Sequence, residues 1–494
     1  MGWILACREL AGEVDAERAF GALFGSSRWA FWLDSGLLEG PARYSLLGDI
    51  GSSADPPTGR SADRRDGWAA EDAVAEGHVL IDWVSDHGTP TIYERLEQRL
   101  AAEDVELPDG LPPEVACGYV GYFGYELNAY DGLPARPAAL PDAVWLRAAR
   151  FVVIDHVRRR TWVCARTTPG RPTRWLDAAE RTLSSLVGRP QAHRGEQLTP
   201  ATEDRVDPEP WLVRSRSRYL ADIETCLRAL RDGECYEICL TNTVEVAFAG
   251  DPLQAYRRLR RSSPAPYAAY LRLGDAHVLS ASPERFLAVD SAGYAESSPI
   301  KGTAPRDPDP GIDRMLAKEL ATDAKTQAEN LMIVDLVRND LGRVCDPGTI
   351  TVPDFLSVRS YATVHQLVST IRGRLRPGLS AVAAARACFP PGSMTGAPKR
   401  RAMQILHELE TRPRGVYSGA LGYVGLRGTA DFSVVIRTAV IKDGTLTIGA
   451  GGAIVLDSDP VAEYDEMLLK AAVPLRAVSA RDLPGTSGTP RPPA

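Results

Sequence analysis

Residues 186–210, LVGRPQAHRGEQLTPATEDRVDPEP, are rich in Pro, Gly and charge and carry no apolar periodicity. A segment of that kind has nothing to bury, so it predicts a linker that divides the 494 residues into lobes spanning 1–185 and 211–480. Before it, the runs WAFWLDS, HVLIDWV, ACGYVGYFGYEL and FVVIDH stand between turn residues and predict strands with only a few helices. After it the pattern mixes long helices with strands. Helices are expected over 218–232 and over 325–341, the latter with Leu331, Val334, Val337 and Leu341 on one apolar face. Strands are expected at CYEICLTNTVEVAF, 417–425, 432–441 and 446–456, with turns near Gly428 and at Asp443-Gly444. Strands in adjacent runs with helices inserted as blocks give an antiparallel α+β fold. The stretch 51–67 reads as a second loop, and 481–494 as a disordered polar tail.

Composition removes several function classes. The net charge of −7 argues against a chain that grips the phosphate backbone, so no nucleic-acid partner is expected. No apolar run reaches the ~18–20 residues a membrane helix needs, and Arg8 and Glu9 interrupt the opening residues too early for a signal segment. The expectation is a cytoplasmic protein with no membrane partner. Eight scattered cysteines without a CxxC pair predict reduced core thiols rather than disulfides or a zinc site.

Three groups of residues can carry chemistry. Asp459-Pro460 opens a helix on which Glu463 and Glu466 stand three apart, sharing one face. With Glu329 they form an oxygen-only set that suits Mg²⁺, although the same carboxylates also fit a solvated helix face. Gly449-Ala-Gly451-Gly452 and the turn at 392–398 allow close approach of backbone amides to a small carboxylate, and Arg437, set in the apolar run FSVVIRTAVI, needs an anionic partner if buried. Lys301 in SSPIKGTAPR reads either as an exposed turn residue or, if desolvated, as a neutral nucleophile; Glu284 reads either as the partner of Arg285 or as a protonated general acid.

SPERF, PIKGTAPR, DAKTQAENLMIVDLVRNDLGRV, TVHQLVSTIRGRL, FPPGSMTGAPKRRAM, RGVYSGALGYVG, FSVVIRT and IGAGGAIVLDSDPVAEYDEMLLKA follow one another in the order found in the chorismate-utilising enzymes. The resemblance covers about residues 215–475, and FWLDSG, ARYSLLG and residues 118–126 extend it into the first lobe, with Cys117 in place of one glycine. It implies a two-lobed α+β fold of packed antiparallel sheets surrounded by helices, with the site between the sheets. Glu237 stands where members that add water to chorismate carry a lysine base, so that reaction loses its base; PIKGT, in place of the PIAGT of the anthranilate branch, and the GGAI of 451–454 resemble the aminodeoxychorismate branch. The resemblance implies Lys301 as nucleophile, Glu284 as general acid and His365 as an orienter or proton carrier near the ring. It implies Gly302, Thr303, Ser393, Tyr417, Arg437, Gly451 and Lys470 as substrate-binding residues. Mg²⁺ would be held by Glu329 and Glu466, with Glu463 through water. Asn330 replaces the histidine that many relatives carry after the metal glutamate. The sequence contains no GxCxG nucleophile strand of a glutaminase, so ammonia is expected from a separate glutamine amidotransferase subunit. Asp34-Ser35 resembles a tryptophan pocket of the aminating members. The rival readings are C2 amination with pyruvate elimination and a non-catalytic chorismate-binding relative.

Overall fold

The computed structural model describes residues 3–35, 43–51, 78–83, 90–103, 105–108, 111–112, 115–170, 173–188, 207–361, 364–479 and 482–483. The expected loop at 51–67 beyond Gly51, residues 189–206 of the expected linker, and the expected tail other than Asp482 and Leu483 lie outside them. Asp482 is buried and paired with Arg258.

Two sheets form the centre. In the larger, the hydrogen-bonded order is Gly396–Ala397, Glu237–Ala247, Thr445–Ile454, Thr438–Lys442, Ala276–Ser282, Tyr267–Leu273, Trp29–Asp34, Tyr44–Asp49, Arg150–Asp155, Arg160–Thr167, Trp3–Ala11 and Val105–Glu106. In the smaller it is Ile300–Pro305, Val364–Arg374, Tyr294–Ser298, Arg285–Val289, Ala430–Val434, Ala420–Gly425, Cys117–Phe123, Ala143–Arg147 and Val79–Asp82, with Thr351–Ser360 also pairing Val364–Arg374. Among the described residues every pairing is antiparallel except that of Trp3–Ala11 with Val105–Glu106. Both sheets draw strands from either side of 186–210: Trp29–Asp34 pairs with Tyr267–Leu273, and Cys117–Phe123 with Ala420–Gly425.

The sheets pack face to face over a core that includes Phe31, Leu46, Tyr122, Val144, Leu271 and Leu421. Helices cover both outer faces. Ala16–Leu23, Arg216–Arg231, Pro252–Ser262, Lys399–Leu409 and Pro460–Leu475 lie on the larger sheet, while Ile92–Ala101, Ala324–Gly342 and Ala381–Cys388 lie on the smaller. Strands buried on both faces explain the unbroken apolar runs: in Trp29–Asp34, Phe31 enters the core between the sheets and Trp32 the core beneath the helices.

Two sequence expectations are corrected. On the helix Ala324–Gly342 the buried stripe is Asn330, Ile333, Val334, Val337 and Leu341, whereas Leu331 faces solvent at 54% exposure. The run 432–441 is two strands. Ala430–Val434 belongs to the smaller sheet and Thr438–Lys442 to the larger, and the chain crosses between them through Arg437, whose φ is +52°. Beside it a second crossing joins Ala276–Ser282 to Arg285–Val289 through Glu284. The two crossings are tied together by the Ser282 hydroxyl donating to Val434 O at 2.6 Å, Val434 N donating to Glu284 O at 3.0 Å and Ala281 N donating to Arg437 O at 3.1 Å.

Candidate active site

Lys301 lies in the strand Ile300–Pro305, not in an exposed turn, and its side chain is only 10% exposed. Its Nζ donates to Glu237 Oε1 at 2.8 Å and stands 3.9 Å from Glu329 Oε2. Burial alone disfavours the charge, but Glu237 and Glu329 overcome it and hold the ammonium above the ordinary lysine range. The expectation of a lysine driven neutral by desolvation is therefore corrected: this amine is kept charged by its partners. Gly302, at φ +80°, lets the strand pass beneath the helix Ala324–Gly342, because a Cβ there would lie 2.3 Å from Thr326 Cγ2.

Glu284 resolves the other open choice. Arg285 pairs with Asp431 at 2.9 Å and Glu296 at 3.2 Å, so Glu284 is not its partner. Glu284 is buried and accepts one side-chain hydrogen bond, from the Ser393 hydroxyl to Oε1 at 2.8 Å. Burial pushes its carboxyl up to about 7, against the opposing pull of Ser393 and Lys301. A carboxylic acid that keeps its proton near neutrality is what general acid catalysis requires.

The metal candidates converge in part. Lys325 Nζ lies 3.9 Å from Glu329 Oε1 and 3.6 Å from Glu463 Oε1, so two carboxylates from distant segments already share one cation. Burial raises the Glu329 carboxyl, and the neighbouring charge of Glu463 adds to that. Glu466 turns aside to Lys470 Nζ at 2.7 Å, and Lys470 also donates to Gly451 O at 3.0 Å. No set of three His, Cys, Asp or Glu side chains is gathered for a metal among the described residues. The donor set nevertheless suits a hard divalent cation, which would take the place of the Lys325 ammonium between Glu329 and Glu463.

Tyr417 precedes the strand Ala420–Gly425 rather than lying in it, and it packs flat against Gly449, where a Cβ would meet the ring at 2.1 Å. Tyr417 and Glu466 are the neighbours whose charge favours the Arg437 guanidinium; burial nonetheless lowers its pKa, and no ion pair to Arg437 forms among the described residues. Such a cation, at the corner between the sheets, is suited to an incoming carboxylate. Thr303 is exposed. His365 is fully engaged elsewhere, its Nδ1 on the Ser360 hydroxyl at 2.8 Å and its Nε2 on Asp313 Oδ1 at 2.9 Å. The structure thus joins Lys301, Glu237, Glu329 and Glu463 through lysine bridges, and places Glu284 and Ser393 within reach of their charge. Lys325 was missed in the sequence, although its position four residues before Glu329 on one helix was a usable signal.

A cavity of about 350 Å³ lies apart from this cluster, lined among others by Asp34, Tyr267, Arg285, Tyr294 and Asp431. Asp34, expected to mark a tryptophan pocket, is bound by Arg260 and by the Ser45 hydroxyl at 2.9 Å.

A family model for chorismate binding enzymes matches residues 62–476. The aminodeoxychorismate synthase of Streptomyces pristinaespiralis is 47% identical over 488 residues, covering 96% of this chain and 65% of that protein. Aminodeoxychorismate synthase component 1 of Salmonella typhimurium is 39% identical over 353 residues, covering 71% of this chain and 74% of that protein. The crystal structure of anthranilate synthase component I from Streptococcus pneumoniae superposes with a TM-score of 0.67 at 26% identity, over 87% of this chain and 92% of that one. The chain spans less than two thirds of the length of this Streptomyces relative, 65%. By the matched span and these identities, this chain belongs to the chorismate binding enzyme family.

Proposed function

We propose that the protein aminates chorismate at C4 with ammonia to give 4-amino-4-deoxychorismate, through a covalent intermediate between Lys301 and C2. The observation that carries this reading is a buried lysine, ion-paired with Glu237, whose charge reaches a second buried carboxyl, Glu284, held near pH 7, in a chain whose relatives include proteins named aminodeoxychorismate synthase. In this reading the Lys301 ammonium first gives a proton to its hydrogen-bonded acceptor, Glu237. The freed amine attacks C2, the ring double bonds shift, and the C4–O bond breaks as Glu284 delivers its proton, so that water departs. Ammonia then enters at C4, the double bonds shift back and the lysine amine leaves C2. Pyruvate stays on the ring.

Mg²⁺ would be held by Glu329, Glu463 and Glu466, and would neutralise the charge of the ring carboxylate. Arg437, Tyr417 and the backbone at Gly451 supply the site for the enolpyruvyl carboxylate, and Lys470, Gly302, Thr303 and Ser393 complete the lining. His365 acts from behind, fixing the helix Pro310–Thr322 through Asp313. Ammonia comes from a glutamine amidotransferase outside these 494 residues; the component 1 name of the Salmonella relative supports a partner component. The cavity at Asp34 is the place for a tryptophan ligand in this reading.

The test is incubation with chorismate, Mg²⁺ and a large excess of an ammonium salt near neutral pH, where Glu284 is still partly protonated. The expected product becomes p-aminobenzoate only after a lyase is added. Direct anthranilate would replace this reading with C2 amination, and unconsumed chorismate would favour a binding protein.

A further inference from the structure

Arg414 has a side chain only 2% exposed, and each of its donor nitrogens is used. Its Nε donates to Glu410 Oε2 at 2.8 Å. One terminal nitrogen donates to Met394 O at 2.6 Å and to the Ser418 hydroxyl at 3.2 Å. The other donates to Cys239 O at 2.9 Å and Glu410 Oε1 at 2.8 Å. The guanidinium also lies 4.3 Å over the Tyr125 ring.

Each acceptor sits next to a residue of the site. Met394 follows Ser393, the partner of Glu284. Cys239 is two residues from Glu237, the partner of Lys301, in the same strand. Ser418 follows Tyr417. Glu410 extends the grip, since its Oε1 accepts from Thr241 N at 3.0 Å and from the Thr241 hydroxyl at 2.9 Å, and Thr241 pairs in register with Gly451. The backbone of Arg414 is held in turn by Glu126, which accepts from Arg414 N and Gly415 N at 2.8 Å each. Glu126 belongs to the GYFGYEL segment of the first lobe, a motif with no part in the chemistry.

We propose that Arg414 is a positioning residue that sets the separation between the Lys301–Glu237 arm and the Glu284–Ser393 arm, with Glu126 buttressing it from the first lobe. The proposal rests on the functional reading above. A lysine at 414 keeps the charge but has three donors on one atom and cannot span acceptors on three segments. A misplacement of about 1 Å between reacting groups costs on the order of 10²-fold in rate.

The test is Arg414→Lys in the full chain, by ammonium-dependent turnover of chorismate and by amide hydrogen exchange. The expected result is a fall in kcat per folded molecule of about 10²-fold with KM changed less than about threefold. Faster exchange should appear together in 237–241, 393–396 and 416–419, while Trp29–Asp34 stays protected. A folded variant with wild-type kcat, or a loss that tracks only the folded fraction or only KM, overturns the proposal. If Arg414→Lys does not fold, Glu410→Gln decides on the same readouts, with an expected fall of about tenfold. Wild-type protein that leaves chorismate untouched defeats the functional reading alone; the concerted exchange of the three segments then judges the positioning.

Discussion

Glu284 and Asp34 are both buried carboxyls at strand ends, one in the candidate active-site cluster and one lining the cavity that strands from both sides of 186–210 enclose, and their surroundings drive them in opposite directions. For Asp34, burial raises the pKa, but Arg260, His156 and Ser45 more than offset that and hold the carboxyl below its ordinary value. Glu284 has a hydroxyl from Ser393 and no guanidinium, and burial carries it to about 7. The same kind of group, equally removed from water, is held as an anion where a guanidinium bonds it directly and keeps its proton to higher pH where burial outweighs the ammonium charges near it.

The largest effects should fall on the cluster and spare the cavity. Lys301→Ala and Glu284→Gln are each expected to lower amination of chorismate by about 10²–10⁴-fold, whereas Asp34→Asn should leave kcat within about twofold and instead destabilise the fold by about 3 kcal/mol, because Arg260 loses its buried partner. With Lys301→Ala, C2 is open, and a weak anthranilate-type or isochorismate-type product should appear in the residual turnover. Steady-state rates, product chromatography and thermal melts of the three variants check this; an inactive but stable Asp34→Asn would erase the distinction.

Next in size is the metal requirement. If Glu329 and Glu463 share a divalent ion, Glu329→Gln and Glu463→Gln should raise the Mg²⁺ concentration for half-maximal rate by about tenfold or more. Glu466→Gln, whose carboxylate now rests on Lys470, should do so less. Mg²⁺ titrations unchanged in all three variants would remove the assignment.

The two carboxyls also predict pH effects of opposite sign. Glu284 binds its proton more tightly folded than unfolded, so it favours the fold at low pH and costs stability as pH rises from about 4.5 towards 7, by about 3 kcal/mol in full. Glu284→Gln should therefore be more stable than wild type at pH 8. Asp34 has its pKa lowered by folding, and its contribution is present above its unfolded value and lost as pH falls through the folded one. Urea melts across pH 4–8 measure both slopes. In catalysis, kcat should decline above pH 7 as Glu284 loses its proton. The smallest expected change is Ser393→Ala, which removes one hydrogen bond to the Glu284 carboxylate and should move that decline upward by about half to one pH unit.

Much of this arrangement was legible from residues alone, and the exceptions share a cause. The helix after Asp459-Pro460 is present as Pro460–Leu475, capped by Asp459, because a side-chain acceptor followed by Pro is a local signal. The turn at Asp443-Gly444 is also local, with φ of +50° and +72°. The break at Arg437 was not legible: a strand that leaves one sheet for another keeps its apolar run, and nothing in FSVVIRTAVI marks the crossing. Leu331 misled because apolar residues recur on more than one face of its helix. Ordered motifs identified the family and named Lys301 and Glu284, yet they could not show that Glu237 holds the lysine charged. Lys301 and Glu237 are 64 positions apart, and Arg260 and Asp34 are 226 apart, so neither pair leaves a mark in local sequence.

The central claim is that Lys301, held by Glu237, forms a bond to the ring. The direct measurement is mass spectrometry of wild-type protein quenched with chorismate and Mg²⁺ in the absence of ammonia. A peptide containing Lys301 should carry the mass of chorismate less one water, and the adduct should vanish in Lys301→Ala and fade when ammonium is added. Unmodified Lys301 in repeated quenches, together with full activity of Lys301→Ala, would contradict the account.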